Sequence, residues 1–284
     1  MASREEYFDL AMKALYLEEN GTENQYKEIF SYLCTYLYHT LNIRSLYRYR
    51  PADNGKWARD KPDLEKGMVW FQPMSKQNDP FEFSFNMDCF SLPDISSTES
   101  YLATFLNLDF LVKDCVDLMW HQFEDYKNKC AIVCLCEQPD NILLWSHYAD
   151  SHKGYCVEYS SIEILKIFQC FLLPVIYHDK FPTFPDVFFG DIKEKLLSYR
   201  MALKTITSKA SFWAPEQEWR VVRTLKSEGG KLPFPTPKAI YLGCNASSKL
   251  ELDLKNICKN RSIPLFKMVK SSADYKLNPV QLQR

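Results

Sequence analysis

Neither sign of charge is in excess in this chain, because 35 lysines and arginines face 36 aspartates and glutamates. A net charge of -1 gives no global field of the kind that draws a protein onto nucleic acid or anionic lipid, which leaves only a local basic groove for such contacts. There is no run of the roughly 20 apolar residues that a membrane span needs. The first twenty residues, MASREEYFDLAMKALYLEEN, are too acidic and too interrupted for a secretory signal. These absences predict a soluble, cytoplasmic protein with no membrane partner. Internal repeats and low-complexity segments are missing too. So are the glycine patterns GxGxxG, GxxxxGK[ST] and GxSxG, which excludes nucleotide binding and nucleophile elbows of those kinds.

Ten cysteines are present, but they are spread over a long, core-rich chain, whereas disulfide frameworks belong to short secreted ones. The tightest group, Cys130, Cys134 and Cys136, lies in CAIVCLC, which reads as a strand presenting all three on one face. A zinc site needs a fourth ligand and a turn between paired cysteines, and neither is visible. The cysteines are therefore expected to be buried structural thiols.

A hydrophobic content of 46% with 15% aromatics is enough for a sizeable core in one large domain. Apolar residues at helical spacing run through residues 3–42, interrupted at Asn20-Gly21-Thr22, so residues 1–43 are expected to form a helical pair ahead of the rest. Residues 44–284 then change character. LYRYR and GMVWFQP read as strands joined by a polar segment, FSFNMDCF as a further strand, and residues 101–129 as a helical stretch. CAIVCLCE is a buried strand, Pro139-Asp140-Asn141 opens a helix through ILLWSHYAD, and GYCVEYS and LLPVIYH are strands. A helix is expected from Asp191 to Lys209, followed by strands EWRVVRTL and AIYLGC, a helix over Ser248 to Arg261, and LFKMVK as the last strand. Strands without regular βαβ alternation predict an α+β domain with a mixed or antiparallel central sheet.

Two polar clusters stand out. Asn78-Asp79-Pro80-Phe81-Glu82 puts an amide and two carboxylates around a proline just after a strand, where function is often mounted, and it reads equally well as a stiff turn. In Glu216-Gln217-Glu218-Trp219-Arg220, an extended backbone would line Glu216, Glu218 and Arg220 along one side. That side is either a salt-bridged edge or a catalytic face. A third segment, NILLWSHYADSHKG, holds Trp145 and Tyr148 at helical spacing; Trp145 reads as core, and His147 and His152 as surface or satisfied histidines rather than acid–base residues, since nothing fixes a partner for either. Asp79, Glu82, Glu216 and Glu218 match no established cation-loop spacing, so no metal is expected. The first two clusters are expected to meet in one site.

Taken in order, LYRYR, MVWFQPMSKQNDPFE, ILLWSHYADSHKGYCVEY, VIYH and WAPEQEWRVV resemble the pattern of a widespread microbial family of unknown function, number 2971 in the domain-of-unknown-function series, over roughly residues 44–245. The arrangement also remotely resembles ADP-ribosyltransferases, in which a late strand opens with Glu-x-Glu. That resemblance implies an ADP-ribosyltransferase-like fold with NAD as co-substrate. It makes Glu218 the glutamate that supports the oxocarbenium-like transition state, Glu216 the acceptor-orienting one, and Tyr49 or Arg48 the early-strand residue near the NAD ribose. Asn78, Asp79, Glu82, Trp145, Tyr148 and Arg220 complete the implied cofactor site, with Trp70 and Trp213 as further aromatic walls. The sequence departs from the usual early His or Arg followed by a clear Ser-Thr-Ser or Tyr motif. The implied activity is transfer to a macromolecular target, protein or nucleic acid, in phage defence or as a toxin. The alternatives are a non-enzymatic sensor or protein-binding module of the same fold, with the N-terminal helices as a contact surface, and a hydrolase using the carboxylate pair.

Overall fold

The chain opens with two capped helices. Ser3 and Glu6 form a capping box at the start of α1 (Arg4–Asn20), and Thr22 and Gln25 form another at the start of α2 (Glu23–Thr35). The computed structural model describes residues 3–84, 121, 124–182, 197–225 and 229–282. Helix α1 buries Tyr7, Phe8, Ala11, Met12, Ala14 and Leu15 along one stripe, and Tyr7 packs edge-on against Trp219 with ring centroids 5.1 Å apart. Burying a side chain the size of Phe8 or Leu15 contributes about 1.5–3 kcal/mol, so this stripe is what holds α1 in place. Residues 1–43 thus supply part of the same core as the rest of the domain.

After a wide turn over Tyr36–Thr40 come β1 (Ser45–Arg50), α3 (Asn54–Lys66) and β2 (Met68–Pro73). Helix α3 corrects the expected polar link. Only Trp57 and Leu64 of its residues are buried apolar groups, too few to show a helical stripe, and Asp53 caps its start through the Lys56 N–H. Next are β3 (Cys130–Cys136), α4 (Ile142–His147), β4 (Tyr155–Ser160) and α5 (Ser161–Phe168). LLPVIYH splits into β5 (Leu172–Pro174) and β6 (Ile176–His178), which join different sheets. The helix expected to reach Lys209 appears as α6 (Leu197–Ile206), and Lys209 sits instead in β7 (Ser208–Ala210). Strands β8 (Glu218–Thr224), β9 (Gly230–Pro233) and β10 (Ala239–Leu242) lead to α7 (Ser248–Arg261), β11 (Leu265–Lys270) and β12 (Leu277–Gln281). LFKMVK is therefore followed by one more edge strand. FSFNMDCF beyond Ser84, most of residues 101–129, and 191–196 lie outside the described residues.

The result is a single domain on a mixed sheet, ordered β12-β11-β10-β4-β1-β3-β2-β9, with only β10 and β11 parallel along that path. β6 and β7 form a separate parallel pair. Strand β3 is the pivot. One edge pairs along its whole length with β8, from Cys130 opposite Thr224 to Cys136 opposite Glu218. The other edge is shared: Cys136 faces Tyr47 of β1, whereas Ala131 and Ile132 face Pro73 and Gln72 of β2. Two strands on one edge must diverge, so the sheet forks at β3 and leaves a gap between β1 and β2. None of the described helices is long and apolar enough to cross a membrane.

Candidate functional site

A cavity of about 390 Å³ opens in this fork. Its walls come from the tyrosines of β1, the loop after β2, and the end of α4; its floor is formed by Glu82, Lys209, Glu216 and Glu218. Asn141 sets α4 in place: its side-chain oxygen accepts from the N–H groups of Leu143 and Leu144 at 3.0 and 3.2 Å, and its amide donates to the Pro215 carbonyl at 2.7 Å. This cap ties the Tyr148 wall to the turn that carries Glu216. Asn141→Ala is expected to cost about 1–2 kcal/mol in urea unfolding, the range for a lost N-cap plus one further hydrogen bond.

The floor is a buried ion network. Lys209 Nζ lies 2.7 Å from Glu216 Oε2, 3.0 Å from Glu218 Oε2 and 3.4 Å from Glu82 Oε1. Arg220, with no exposed surface, donates through Nε to Glu218 Oε1 at 2.8 Å, through Nη2 to Glu82 Oε2 at 2.9 Å and Glu218 Oε2 at 3.1 Å, and through Nη1 to the Ile206 carbonyl. Three carboxylates against two cations leave one negative charge in excess. Tyr148 donates its hydroxyl to Glu216 Oε1 at 2.7 Å, and Asn78 reaches the same hydroxyl at 3.4 Å. The Trp213 ring covers the Lys209 ammonium at 4.8 Å.

Burial opposes ionisation of Glu218, but the Arg220 and Lys209 charges beside it outweigh that and hold its carboxyl down at about 2. For Glu82, burial dominates the attraction of Arg220, and the nearby Glu218 charge adds to it, so that carboxyl is raised. Burial also disfavours the Lys209 ammonium, yet Glu218, Glu216 and Glu82 keep it charged well above the usual lysine range. Burial and then the Glu216 charge push the Tyr148 phenol upward.

The lip has the opposite character. Arg48 is half-buried, donates to the Trp70 carbonyl at 3.0 Å, and is lowered to about 10 by burial and by the neighbouring Arg50 charge. Arg50 is engaged by Asp60 through two bonds of 2.8 Å. Among the described residues, neither Arg48 nor the exposed Lys76 forms an ion pair.

The two clusters singled out in the sequence meet here. Asn78, Glu82, Tyr49, Arg48, Tyr148, Glu216 and Glu218 all line the cavity. Asp79, Trp145 and Arg220 do not. Asp79 accepts from the Phe81 N–H at 2.9 Å and closes the turn. Trp145 is fully buried, donates to the Pro139 carbonyl at 2.8 Å and packs edge-on against Tyr49. Arg220 lies beneath the floor. The shared face expected for Glu216, Glu218 and Arg220 holds for the last two alone: Ser211–Glu216 is a tight helical turn and Gln217 has φ 46°, so Glu216 is off the strand and is brought back by Lys209. Behind the floor, Arg4 from the first turn of α1 donates to the carbonyls of Glu218 and Val175 at 3.1 and 2.8 Å and pairs with Glu137 at 2.5 Å.

Lys209, Lys76 and Tyr47 are among the lining residues that sequence reasoning missed. A Glu-x-Glu pair that folds inward requires a buried cation, and that requirement was the one available signal for Lys209. Among the described residues, no group of three or more His, Cys, Asp or Glu is placed to hold a metal ion. Comparison with curated proteins and with solved structures gives no match. A family model described as Protein of unknown function (DUF2971) matches residues 144–221, the stretch that carries Leu144, His147, Tyr148, Lys209, Glu216 and Glu218 to the cavity.

Proposed function

We propose that this cavity binds NAD as a co-substrate and that the protein transfers ADP-ribose to a macromolecular acceptor. The supporting observation is the pairing, within one cavity, of a cationic lip at Arg48 and Lys76 with tyrosine walls and a net-negative carboxylate floor. A pyrophosphate suits the lip, aromatic faces suit the rings, and a carboxylate floor suits a sugar carbon that gains positive charge. In the reaction, the bond between the ribose C1′ and the nicotinamide nitrogen breaks and its electron pair leaves with nicotinamide. The acceptor's lone pair then forms the new bond to C1′ and its proton is released. Glu218 stays ionised throughout, as a group that stabilises the developing charge must, and Glu216 stands beside it to orient the acceptor.

A second reading, a non-enzymatic binding module, is favoured by one observation: each of the three floor carboxylates is already ion-paired. Nicotinamide release from NAD, with and without a cell lysate as acceptor, separates the two. Wild type is expected to release nicotinamide, and Glu218→Gln and Glu216→Gln to lose roughly 10²–10³-fold in rate, the scale for removing one preorganised electrostatic group. Circular dichroism on each variant shows whether it is folded. No release with any acceptor, together with no NAD-induced rise in Tm, would leave the binding module.

A further inference from the structure

We propose that Glu82, from the loop that closes the cavity rather than from the Glu-x-Glu strand, is the group that takes the acceptor's proton. The identity of the ligand rests on the NAD reading; the special status of Glu82 rests on how the floor is bonded.

Donors are unevenly shared among the three carboxylates. Glu218 accepts on Oε1 from Arg220 at 2.8 Å and on Oε2 from Lys209 at 3.0 Å and Arg220 at 3.1 Å. Glu216 has one short donor on each oxygen, Tyr148 and Lys209, both at 2.7 Å. Among the described residues, Glu82 has Arg220 on Oε2 at 2.9 Å, while its Oε1 has only Lys209 at 3.4 Å. The side chain is 2% exposed, lines the cavity, and so presents a poorly satisfied oxygen to a ligand there. An ammonium has three donors, and Lys209 commits its two short bonds to Glu216 and Glu218. A proton placed on Glu218 would displace strong donors, and one placed on Glu216 would break a 2.7 Å bond. A proton on Glu82 Oε1 disturbs one long contact.

Burial of Glu82 acts in the same direction, against the pull of the two cations beside it. Glu218 and Arg220 face it from β8, Lys209 from β7, Glu216 from the turn before β8, and the Cys134 thiol from β3. Burial and the Glu218 charge outweigh the two cations, so the Glu82 carboxyl is raised. Above that raised value it is a carboxylate whose Oε1, held among the described residues by one 3.4 Å contact, can accept from an O–H or N–H donor. The acceptor's proton passes to Glu82 Oε1 while its lone pair forms the bond to C1′ and nicotinamide leaves with its own electron pair; Glu82 then returns the proton to water.

The test follows the glutamate side-chain carboxyl carbons by NMR across pH in the full-length protein, wild type beside Glu82→Gln and Glu216→Gln, with ADP-ribose transfer rates on the same samples. A carboxyl that titrates above the ordinary glutamate range should be present in wild type and Glu216→Gln and missing in Glu82→Gln. The transfer rate should fall on the acid side in wild type, lose that limb in Glu82→Gln, and drop there by roughly 10²-fold with KM for NAD little changed. If Glu82→Gln fails to fold, Glu82→Asp keeps the charge, and it should keep the titration while slowing transfer. The proposal is overturned if the raised titration survives in Glu82→Gln, or if that variant keeps the wild-type rate and pH profile. A wild type that shows the Glu82 titration but releases no nicotinamide would disprove the NAD reading and, with it, the proton transfer proposed for Glu82.

Discussion

Arg220→Met is expected to cost about 3–5 kcal/mol in chemical unfolding, the range for removing one partner of a buried ion pair. Stabilities of single domains run about 5–15 kcal/mol, so this one change should take away a large share of the total. Arg220 has no exposed surface, and its guanidinium serves Glu218, Glu82 and the Ile206 carbonyl at once while lying over the Phe83 ring at 5.7 Å. Methionine fills much of the volume but leaves Glu82 and Glu218 with Lys209 as their sole cation among the described residues, and the floor moves from one excess negative charge to two. Exposed pairs set the contrast. Lys231→Met removes a 2.7 Å bond to Asp63 from a half-exposed lysine and should shift stability by no more than about 1 kcal/mol. Adding Glu218→Leu to Arg220→Met should recover part of the loss, because the cost lies mainly in the stranded carboxylates. An Arg220→Met midpoint close to that of Lys231→Met would show that the network is not what holds the floor together.

Much of this architecture can be read from the sequence where elements are apolar on both faces. CAIVCLC, GYCVEYS and EWRVVRTL are central strands, and SKLELDLKNICKNR is a helix with Ser247 as its cap. What escaped was marginal in composition or lacked punctuation. SIEILKIF becomes α5 with no turn before it, since Ser160 is at once the last residue of β4 and the cap of the helix. LNPVQ becomes β12 despite Pro279, which an edge strand tolerates. At the site, Glu218 and Arg220 were readable as a pair because residues two apart on a strand share a face. Lys209 was not, since a turn brings it to Glu216 and the fold alone brings it to Glu82, which lies outside any local pattern. The cavity itself follows from the fork at β3, and a fork is a property of pairing that no single segment displays.

The fork depends on how closely its strands are allowed to approach, which makes Gly154→Ala the second change with a large expected effect. After α4 the chain turns through Asp150, Ser151 and His152, all left-handed at φ 49°, 52° and 66°, and Gly154 then donates to the Ala149 carbonyl at 2.8 Å before β4 begins. A Cβ on Gly154 would stand 2.1 Å from the Arg50 carbonyl oxygen, a backbone atom that cannot swing aside as a side chain does. Arg50 is paired with Tyr155 across β1 and β4, so relieving the contact must push β1 outward and carry Tyr49 and Arg48 with it. The expected loss is about 3 kcal/mol, the upper part of the range for overpacking, together with weaker NAD binding. Gly55→Ala supplies the control. Near the start of α3 its Cβ would meet only Asp53 Oδ1 at 4.0 Å, so it should be neutral or raise stability by about 0.4–1 kcal/mol through the unfolded chain. Thermal and urea unfolding of the two variants side by side decides the matter. Equal midpoints would mean that β1 and β4 have slack at Gly154, and a fork with slack there would not fix Tyr49 and Arg48 at the cavity wall.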